Sequence, residues 1–398
     1  MSWPLVRPPW KHAQWRTFET VSWRFPPMTK YTNIPPSIDF SGELHSLKQE
    51  IESLDSSGSW EFLKRSSNPY ELVFSQSQDM RIPQSICSLR PLSRSFFKMV
   101  EILSVLQFFE RHQLNIKSAH VCEGPGGFIE ALLHLSVKNS ANLEDAWAMT
   151  LKPTKSNIPG WKRAYHFLRK SHMVHIEYGA DDTGDILVPQ NQAAFLQKTD
   201  QMCNIFTADG GFDFSEHYST QEGEVFPLLV SSALIGLQSI QKGGDFVLKI
   251  FDMELETTCQ FIATLAYCFD EWTLYKPALS RPCNAERYFL GRGFRGAPEW
   301  LILLLSSIRD SYAKGNVYIT SIFSSIQDPV GRDIRELKEE FLQQQIGALK
   351  YAIAHKEEWN MNPQAIWKRI HENSVQWCSE FQIPMKTFTH STGASHTN

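Results

Sequence analysis

The segment SAHVCEGPGGFIEALLHLSV, residues 118–137, joins a short apolar run, a glycine-rich turn and an amphipathic stretch with helical spacing. Three of the four residues after Glu123 are glycine, and Pro125 stiffens the turn between them. A glycine-rich turn between a strand and a helix lets a ligand approach the backbone amides at the helix start. The turn is neither the G-x-G-x-x-G of dinucleotide-binding proteins nor a loop that ends in Gly-Lys-Ser/Thr. It predicts a strand–turn–helix unit in which the turn is either a ligand site or a structural bend.

Downstream of this unit, apolar runs continue to alternate with helical stretches as far as about residue 296. The runs are AWAMTL, MVHIE, CNIFTAD, DFVLKIFD, EWTLYKP and AERYFLGRGF, and amphipathic stretches such as EVFPLLVSSALIGLQSI separate most of them. This alternation is typical of an α/β fold, in which helices cover both faces of a sheet. Ligands of such folds gather at the carboxyl ends of the strands. Functional residues are therefore expected where the apolar runs end.

Four charged residues occupy positions at which an unpaired charge would be unfavourable. Asp209 directly follows the run CNIFTA, Lys249 lies inside FVLKIF, and Glu286 begins the last run. Lys98 falls on the apolar stripe of the helical segment SRSFFKMVEI, where a lysine can also lay its stem on the surface and expose its ammonium. A buried ammonium needs a partner or loses its proton. If the last strand runs antiparallel to the others, all four groups can converge at one edge of the sheet.

Together these segments resemble a known enzyme family. SRSFFKMVEI, CEGPGGF, TADGGFDF, FVLKIF and NAERYF occur in the order and approximate spacing of the RrmJ/FtsJ-type ribose 2′-O-methyltransferases. NPYELV, VCEGPGGF, MTLK, TGDI and TADGGFDF resemble the eukaryotic and viral mRNA cap 2′-O-methyltransferases. The resemblance covers residues 68 to 293 and implies a Rossmann-like class I fold with a mostly parallel seven-stranded sheet and helices on both faces. It also implies S-adenosyl-L-methionine as the methyl donor.

The resemblance assigns roles to individual residues. The catalytic Lys-Asp-Lys-Glu set of the family corresponds to Lys98, Asp209, Lys249 and Glu286. The residues predicted to bind the cofactor are Glu123, Gly124, Pro125, Gly126, Gly127, Phe128, Thr150, Leu151, Asp185 and Asp209. Cys122 stands where the bacterial pattern has its first glycine, and Glu123 replaces a small residue found in many members. The contacts to the methionine end of the cofactor are therefore expected to differ from the bacterial pattern.

Methyl transfer to a hydroxyl needs an aligned oxygen, carbon and sulfur, and a group that receives or steers the hydroxyl proton. Lys249 is predicted to do this, because its apolar strand and a second ammonium at Lys98 should lower its pKa, whereas Asp209 and Glu286 should raise it. The chemistry requires no metal. The 13 histidines show no metal-ligand spacing such as H-E-x-x-H.

Composition limits the class of protein. With 398 residues, 42% hydrophobic and 21% charged, the chain is long enough for a large globular core plus extensions. No apolar stretch approaches the roughly 18 to 20 residues of a spanning helix, so no membrane association is expected. The seven cysteines show no paired short spacing, which favours reduced thiols in an intracellular protein. The resemblance to the cap enzymes implies the nucleus or the cytoplasm, or a host cell if the protein is viral. A net charge of −4 argues against indiscriminate coating of nucleic acid.

Four regions are predicted along the chain. Residues 1–75 should form an irregular or helical arm whose interleaved aromatic and arginine side chains could contact RNA or a cap. Residues 76–296 should form the methyltransferase domain. Residues 297–385 should form a helical extension that packs on this domain or docks a partner from the capping machinery. Residues 386–398 should be a disordered tail.

Three functions follow from these features. The first is methylation of the ribose 2′-hydroxyl of a 5′-terminal nucleotide in capped mRNA, which the matches to TGDI and NPYELV favour. The second keeps the chemistry but acts on ribosomal or transfer RNA. The third is a catalytically inactive subunit that binds RNA or scaffolds a capping complex, although such a subunit would be expected to lose residues of the catalytic set, all of which are present.

Overall fold

A computed structural model describes residues 13–17, 27–33, 42–56, 58–76, 79–154, 158–211, 221–315 and 318–386. The predicted disordered tail, from residue 387 onward, lies outside the described residues, as do most of the first 41 residues and the end of the TADGGFDF segment at residues 212–214.

Eight strands of the described residues form one sheet, in the order β1-β8-β9-β7-β6-β3-β4-β5, and two more form a separate pair, β10-β2. The strands are β1 (Arg16–Thr17), β2 (Pro27–Thr32), β3 (Ile116–Val121), β4 (Leu143–Met149), β5 (Val174–Glu177), β6 (Cys203–Ala208), β7 (Ile240–Ile250), β8 (Phe269–Tyr275), β9 (Arg287–Phe294) and β10 (Tyr318–Phe323). The pairs from β5 to β7 are parallel, whereas β9 runs antiparallel to both of its neighbours, β7 and β8. The antiparallel last strand on which the convergence of charges depended is thus present.

The strand order places a topological switch point between β3 and β6. From β3 the chain moves outward through β4 and β5, and it then returns to β6 on the other side of β3. The loops that leave the carboxyl ends of β3 and β6 therefore diverge and open a crevice, which is the usual ligand site of a doubly wound sheet. The glycine turn follows β3 and Asp209 follows β6, so both predicted elements lie at this crevice.

Helices lie in two groups that the same reversal explains. Parallel connections are right-handed, so helices on connections that run in opposite directions along the sheet cover opposite faces. Accordingly α3 packs against α5, while α8 contacts α7, α9 and α10. The helices of the described residues are α1 (Glu43–Ser56), α2 (Trp60–Ser66), α3 (Ser95–Val105), α4 (Phe108–Arg111), α5 (Gly127–Lys138), α6 (Tyr165–Lys170), α7 (Pro189–Thr199), α8 (Gln221–Ser239), α9 (Glu256–Tyr267), α10 (Glu299–Ala313), α11 (Val330–Met361) and α12 (Pro363–Glu380).

The core of the sheet is aromatic. Phe206 of β6 stacks on Phe246 of β7 with ring centroids 5.1 Å apart, and Trp272 of β8 stacks on Phe289 of β9 at 6.1 Å. All four side chains are fully buried. Each removes on the order of 150–250 Å² from water, so this part of the sheet provides a rigid base for the residues at its carboxyl edge.

Two details differ from the sequence prediction, although the fold class is confirmed. The sheet has eight strands instead of seven, because the two-residue β1 pairs antiparallel to the edge strand β8. The region after residue 296 is mainly helical, but it also contributes β10, which pairs with β2 of the predicted irregular arm. Short strands without hydrophobic alternation carry too little pattern for a sequence reading to find them.

The chain divides into two compact units. One contains the described residues within 1–50 and 92–350, and the other those within 51–91 and 351–398. In the second unit Phe62 lies edge-on to Trp359 with centroids 4.7 Å apart, and Trp359 lies edge-on to Trp367 at 5.8 Å. The predicted region boundaries at residues 75/76 and 296/297 stay predictions. In the part of the chain that the structure describes, no helix has the length and apolar character needed to cross a membrane.

Candidate active site

The glycine turn after β3 packs against two other backbone segments. Gly126 has φ +104°, a conformation that favours glycine. A Cβ on Gly124 would lie only 2.7 Å from the carbonyl oxygen of Gly160, and a Cβ on Gly127 would collide with the hydroxyls of Ser93 and Ser95. Glycine is thus required here for close approach of backbone, and the start of α3 is held directly against the turn.

Helix α3 carries Lys98 to the carboxyl edge of the sheet, where it pairs with Glu286. Lys98 Nζ donates a hydrogen bond to Glu286 Oε2 at 2.8 Å and lies 2.6 Å from Oε1. The two side chains are only 13% and 10% exposed. The lysine in the apolar stripe of α3 is therefore a nearly buried ion pair with a residue 188 positions away, and its ammonium does not extend into solvent.

Asp209 and Lys249 form a second pair on neighbouring strands. Lys249 Nζ lies 3.2 Å from Asp209 Oδ1 and donates a hydrogen bond to the backbone oxygen of Asp209 at 2.7 Å. Tyr288 stands opposite Lys249 in the β7–β9 register, and its hydroxyl donates to Asp209 Oδ1 at 2.8 Å. The structure thus holds Asp209 from two sides.

The electrostatics of Lys249 differ from the expectation that its pKa is lowered. Burial lowers the pKa of Lys249, but the carboxylates of Asp209 and Glu286 together outweigh burial, so its pKa is raised above the usual value. At neutral pH Lys249 therefore carries its proton. The sequence correctly indicated the apolar neighbours of Lys249. It does not contain the distances from the Lys249 ammonium to the carboxylates of Asp209 and Glu286.

Glu286 is the carboxylate that both lysines stabilise. Burial raises the pKa of Glu286, whereas the ammonium groups of Lys98 and Lys249 and the hydrogen bond from Lys98 lower it to about 2. Glu286 is consequently ionised at neutral pH. Two carboxylates and two lysines at this edge form a charge-balanced set, which reduces the cost of burying each charge.

A chain of buried polar groups supports Glu123 from below. His120 is fully buried, and its Nδ1 forms a hydrogen bond of 2.7 Å with Thr207 Oγ1 while its Nε2 bonds Ser118 Oγ at 2.8 Å. The Thr207 hydroxyl donates to Glu123 Oε1. Glu123 Oε2 lies 3.2 Å from His120 Nδ1, yet it accepts no hydrogen bond from the described residues. Burial raises the pKa of Glu123, so this oxygen would gain most from a cationic donor.

The remaining predicted cofactor residues include Thr150 and Leu151, just after β4, and Asp185 in the TGDI loop. The carbonyl of Thr150 sits against Gly184, and Lys152 N donates to Thr183 O at 2.8 Å, so the end of β4 adjoins the TGDI loop. Asp185, half-buried in that loop, accepts from Leu187 N at 2.9 Å.

The environment of the Cys122 thiol shows that these parts converge. Burial raises the pKa of the Cys122 thiol, and the charges of Asp185, Glu123 and Asp209 add to this while Lys249 opposes it, so that the pKa is about 12. Residues from three strand ends thus act on one atom. Two other predicted cofactor residues differ in exposure. Leu151 is partly exposed, whereas the Phe128 side chain is fully buried against the ring of Tyr288, with the ring centroids 5.8 Å apart.

Comparison with known proteins identifies the family of this domain. A family model of the FtsJ-like methyltransferases matches residues 91–294, slightly more than half of the chain. The chain belongs to the FtsJ-like methyltransferase family. The matched residues contain the whole switch-point crevice and all four residues of the predicted catalytic set, so the predicted family and fold class are confirmed.

Relatives of this FtsJ-like chain resemble it over part of their length. It is 30% identical over 238 residues to cap-specific mRNA (nucleoside-2′-O-)-methyltransferase 2 of Danio rerio, which covers 58% of this chain and 32% of that protein. It is 35% identical over 183 residues to cap-specific mRNA (nucleoside-2′-O-)-methyltransferase 1 of Xenopus laevis, covering 44% and 21%. A probable methyltransferase of African swine fever virus is 28% identical over 218 residues, covering 50% and 49%. The chain thus spans between about a fifth and a half of the length of these relatives.

Four residues of the FtsJ-like site were not found by reading the sequence: His120, Trp161, Lys276 and Tyr288. Trp161 packs its ring on Gly126, 3.3 Å from the position of a Cβ there. Lys276 follows β8 directly and is the only one with a sequence signal, a lysine at the carboxyl end of an apolar run. His120 and Tyr288 lie within strands, where a polar residue gives no indication of its partners. Among the described residues, no cluster of three or more His, Cys, Asp or Glu is arranged to hold a metal ion.

Lys276 anchors the loop that leads into Glu286. Its Nζ donates to Asn284 O at 2.7 Å, Asn284 Oδ1 at 2.9 Å and Glu286 O at 3.1 Å. Burial and the guanidinium of Arg287 lower the pKa of Lys276 to about 7, although Glu286 opposes them. The folded protein therefore releases a proton near pH 7 that the unfolded chain holds until about pH 10.4.

Replacement of Lys276 by methionine should change how stability depends on pH. Between pH 7 and about 10.4 the unfolded wild-type chain binds more protons, so the wild-type free energy of unfolding gains from rising pH in this window. Lys276→Met lacks that gain. Urea unfolding at pH 6, 8 and 10 should show that the free energy of unfolding of Lys276→Met falls increasingly below that of wild type as pH rises. Lys242→Met, at an exposed lysine, should follow the wild-type profile. If the free energy of unfolding of wild type and of Lys276→Met depended on pH in the same way, the lowered pKa of Lys276 would be refuted.

Proposed function

We propose that the chain transfers a methyl group from S-adenosyl-L-methionine to the ribose 2′-hydroxyl of a 5′-terminal nucleotide in capped mRNA. The observation that carries this proposal is the meeting of Lys98, Asp209, Lys249 and Glu286 at the switch-point crevice of an FtsJ-like domain. The names of the Danio rerio and Xenopus laevis relatives, both cap-specific 2′-O-methyltransferases, support the capped substrate.

The residues beside the turn fit the proposed cofactor. The buried Glu123 Oε2, which lacks a donor among the described residues, suits the α-ammonium group of S-adenosylmethionine. Gly124 and Pro125 of the turn are partly exposed, so their backbone is within reach of a ligand at the start of the helix. Asp185 has a half-buried carboxylate that suits the hydroxyl and amino groups of the nucleoside part. The cofactor supplies an electrophilic methyl group on a sulfonium, and the carboxylates of Glu123 and Asp209 would favour a positive charge bound at the crevice.

The protonation state of Lys249 decides its role in the reaction. Because the carboxylates of Asp209 and Glu286 raise the pKa of Lys249 above its usual value, only a very small fraction of Lys249 side chains is neutral at pH 7. General base catalysis contributes about 10²- to 10⁴-fold, so that population would cancel most of the benefit. We therefore propose that the Lys249 ammonium holds the 2′-oxygen by a hydrogen bond and orients one lone pair for attack, and that the hydroxyl proton leaves to solvent water. Alignment can supply up to about 7–11 kcal/mol of barrier reduction.

The other three residues of the set keep Lys249 in place. Asp209 accepts from Lys249 and Tyr288, which fixes the ammonium above the carboxyl end of β7. Lys98 and Glu286 form the neighbouring ion pair, and their near-complete burial prevents either charge from turning to solvent. All four residues are present and paired, which favours an active enzyme over an inactive scaffold.

The proposal is tested by incubating the full chain with S-adenosylmethionine carrying a labelled methyl group and with RNA oligomers that differ only in the 5′ cap. We expect label in capped RNA, and nuclease mapping should place it on the ribose of a 5′-terminal nucleotide. Equal labelling of uncapped and capped oligomers would transfer the proposal to ribosomal or transfer RNA. Cofactor binding without transfer to any RNA would support the inactive scaffold. A capped substrate also implies work in the nucleus or cytoplasm, and docking of a capping partner on the C-terminal helices stays a prediction.

A further inference from the structure

A basic surface lies next to the glycine turn and has no role in the chemistry above. Residues 146–176 contain six lysines and arginines, three histidines and no aspartate or glutamate, in a chain with a net charge of −4. Four of these cations, Lys162, Arg163, Arg169 and Lys170, lie on α6 and the turn before it, and all four are exposed. We call these four residues the α6 basic surface.

The carboxylates of the described residues do not neutralise the α6 basic surface. None of its four cations forms an ion pair with a carboxylate of the described residues, in contrast to Lys117, which lies within 3.8 Å of both Glu144 and Asp145. Four like charges within nine residues repel one another. An anionic partner that supplies the missing charge would relieve this repulsion.

The segment that carries the surface is anchored on the cofactor turn. Gly160 lies against Gly124, and Trp161 packs on Gly126. Trp161 is 7% exposed and Ala164 is fully buried. Helix α6 therefore begins four residues after a contact with the glycine turn, and buried residues hold it there.

An aromatic side chain stands among the cations. Tyr165 is 58% exposed, and the guanidinium of Arg169 lies 5.7 Å from the centroid of its ring. His166 meets the same ring edge-on at 5.5 Å. Alternating cations and exposed aromatic rings bind single-stranded nucleic acid, because phosphates pair with the cations and bases stack on the rings.

We propose that the α6 basic surface binds the phosphate backbone of the RNA substrate beyond the methylated nucleotide, with Tyr165 as a stacking platform for one base. This inference rests on the proposed function for the identity of the RNA. An acidic protein would also match the charge, but it would gain little from Tyr165 and its neighbouring Arg169. The surface adds affinity for long substrates and leaves the chemical step unchanged.

The test compares two fourfold variants of the full chain. One replaces the α6 basic surface by Lys162→Gln, Arg163→Gln, Arg169→Gln and Lys170→Gln. The control replaces four exposed cations elsewhere in the same unit by Lys198→Gln, Lys242→Gln, Lys314→Gln and Arg332→Gln. Both variants lose the same charge, and glutamine is a good helix former.

Binding is measured by fluorescence anisotropy with a labelled 20-nucleotide single-stranded RNA between 50 and 200 mM salt. Each lost phosphate contact removes about 0.7 from the slope of log affinity against log salt. We expect the α6 variant to lose at least about 10-fold in affinity and roughly two to three in slope, and the control to match wild type. Unchanged binding of the α6 variant, or equal binding of wild type to polyglutamate, would overturn the inference.

Methyl transfer separates this inference from the proposed function. On a capped 20-nucleotide RNA the α6 variant should show a KM raised at least about 10-fold with unchanged kcat, whereas a capped trinucleotide should react as with wild type. If no RNA is methylated by wild type but the α6 variant alone loses RNA binding, the proposed function fails and the surface stands. If wild type and the α6 variant methylate both substrates equally, the surface fails and the proposed function stands.

Discussion

Replacement of Lys249 by methionine is expected to reduce methyl transfer at least about 100-fold, since removal of one preorganised donor at a reacting oxygen costs about 10²–10³ in kcat. Methionine keeps an unbranched stem of similar size among the buried neighbours of β7, and Tyr288 still donates to Asp209. The variant should therefore fold and bind the cofactor. The measurements are transfer of a labelled methyl group at saturating capped RNA and cofactor affinity by calorimetry.

Lys249→Arg tests position separately from charge. The ammonium lies 3.3 Å from the position of a Cβ on Gly211 and 5.4 Å from the centroid of the Phe251 ring. Arginine is longer than lysine and ends in a planar fork, so its N–H groups do not reproduce the position of this ammonium, and we expect a folded, cofactor-binding protein that no longer transfers methyl. A wild-type rate from Lys249→Arg would contradict the positional role.

The pH profile of wild type distinguishes the two roles of Lys249. If its ammonium orients the hydroxyl, the raised pKa of Lys249 keeps it protonated between pH 7 and 9. Titration of Lys249 should then cause no change in kcat over this range. If the neutral amine were the base, kcat would rise about tenfold per pH unit over this range. Lys249→Met provides the control, because any slope it retains belongs to another group.

Among the proposed variants, replacement of Glu286 by alanine should cause the largest decrease in the free energy of unfolding. Glu286→Ala leaves the Lys98 ammonium, 13% exposed, without its carboxylate. Breaking a buried pair in this way costs about 3–5 kcal/mol. Urea unfolding at pH 7 should show a decrease of that order, and the double replacement Lys98→Met with Glu286→Leu should lose clearly less, because no isolated charge remains buried.

The pH dependence of this loss follows from the depressed pKa of Glu286. Its value of about 2 in the folded protein lies below the usual 4.5, so its contribution is fully present above about pH 4.5 and disappears as pH falls toward 2. The difference between wild type and Glu286→Ala should thus be constant from pH 5 to 7 and shrink between pH 4.5 and 3. A difference that is independent of pH would show that the pair does not stabilise the fold.

The alternation of apolar runs and helical stretches was enough to predict the α/β class, because strand and helix periods are local properties of a sequence. The eighth strand was missed for the same reason: Arg16 and Thr17 pair with β8 through backbone hydrogen bonds, which leave no pattern in side chains. The pairing of β2 with β10 is invisible for this reason too.

At the site, the sequence indicated the residue types but not their energetics. Lys98, Asp209, Lys249 and Glu286 stand out because each is a charge in or beside an apolar run, and the structure brings all four together. Their roles in catalysis, and those of the predicted cofactor residues, stay proposals that the variants above test. The direction of the Lys249 pKa was misjudged, since Coulomb interactions depend on distances of 3–6 Å between residues that are far apart along the chain.

The sequence by itself determined the fold class, the family and the set of charged residues, because these follow from local periods and from motifs in a fixed order. Only the tertiary structure decided which charges pair, that Lys249 keeps its proton, and that His120, Trp161, Lys276 and Tyr288 support the crevice. It also placed the α6 basic surface beside the glycine turn. The physical reason is that pairing, burial and pKa depend on distances through space, which the order of residues along a chain does not contain.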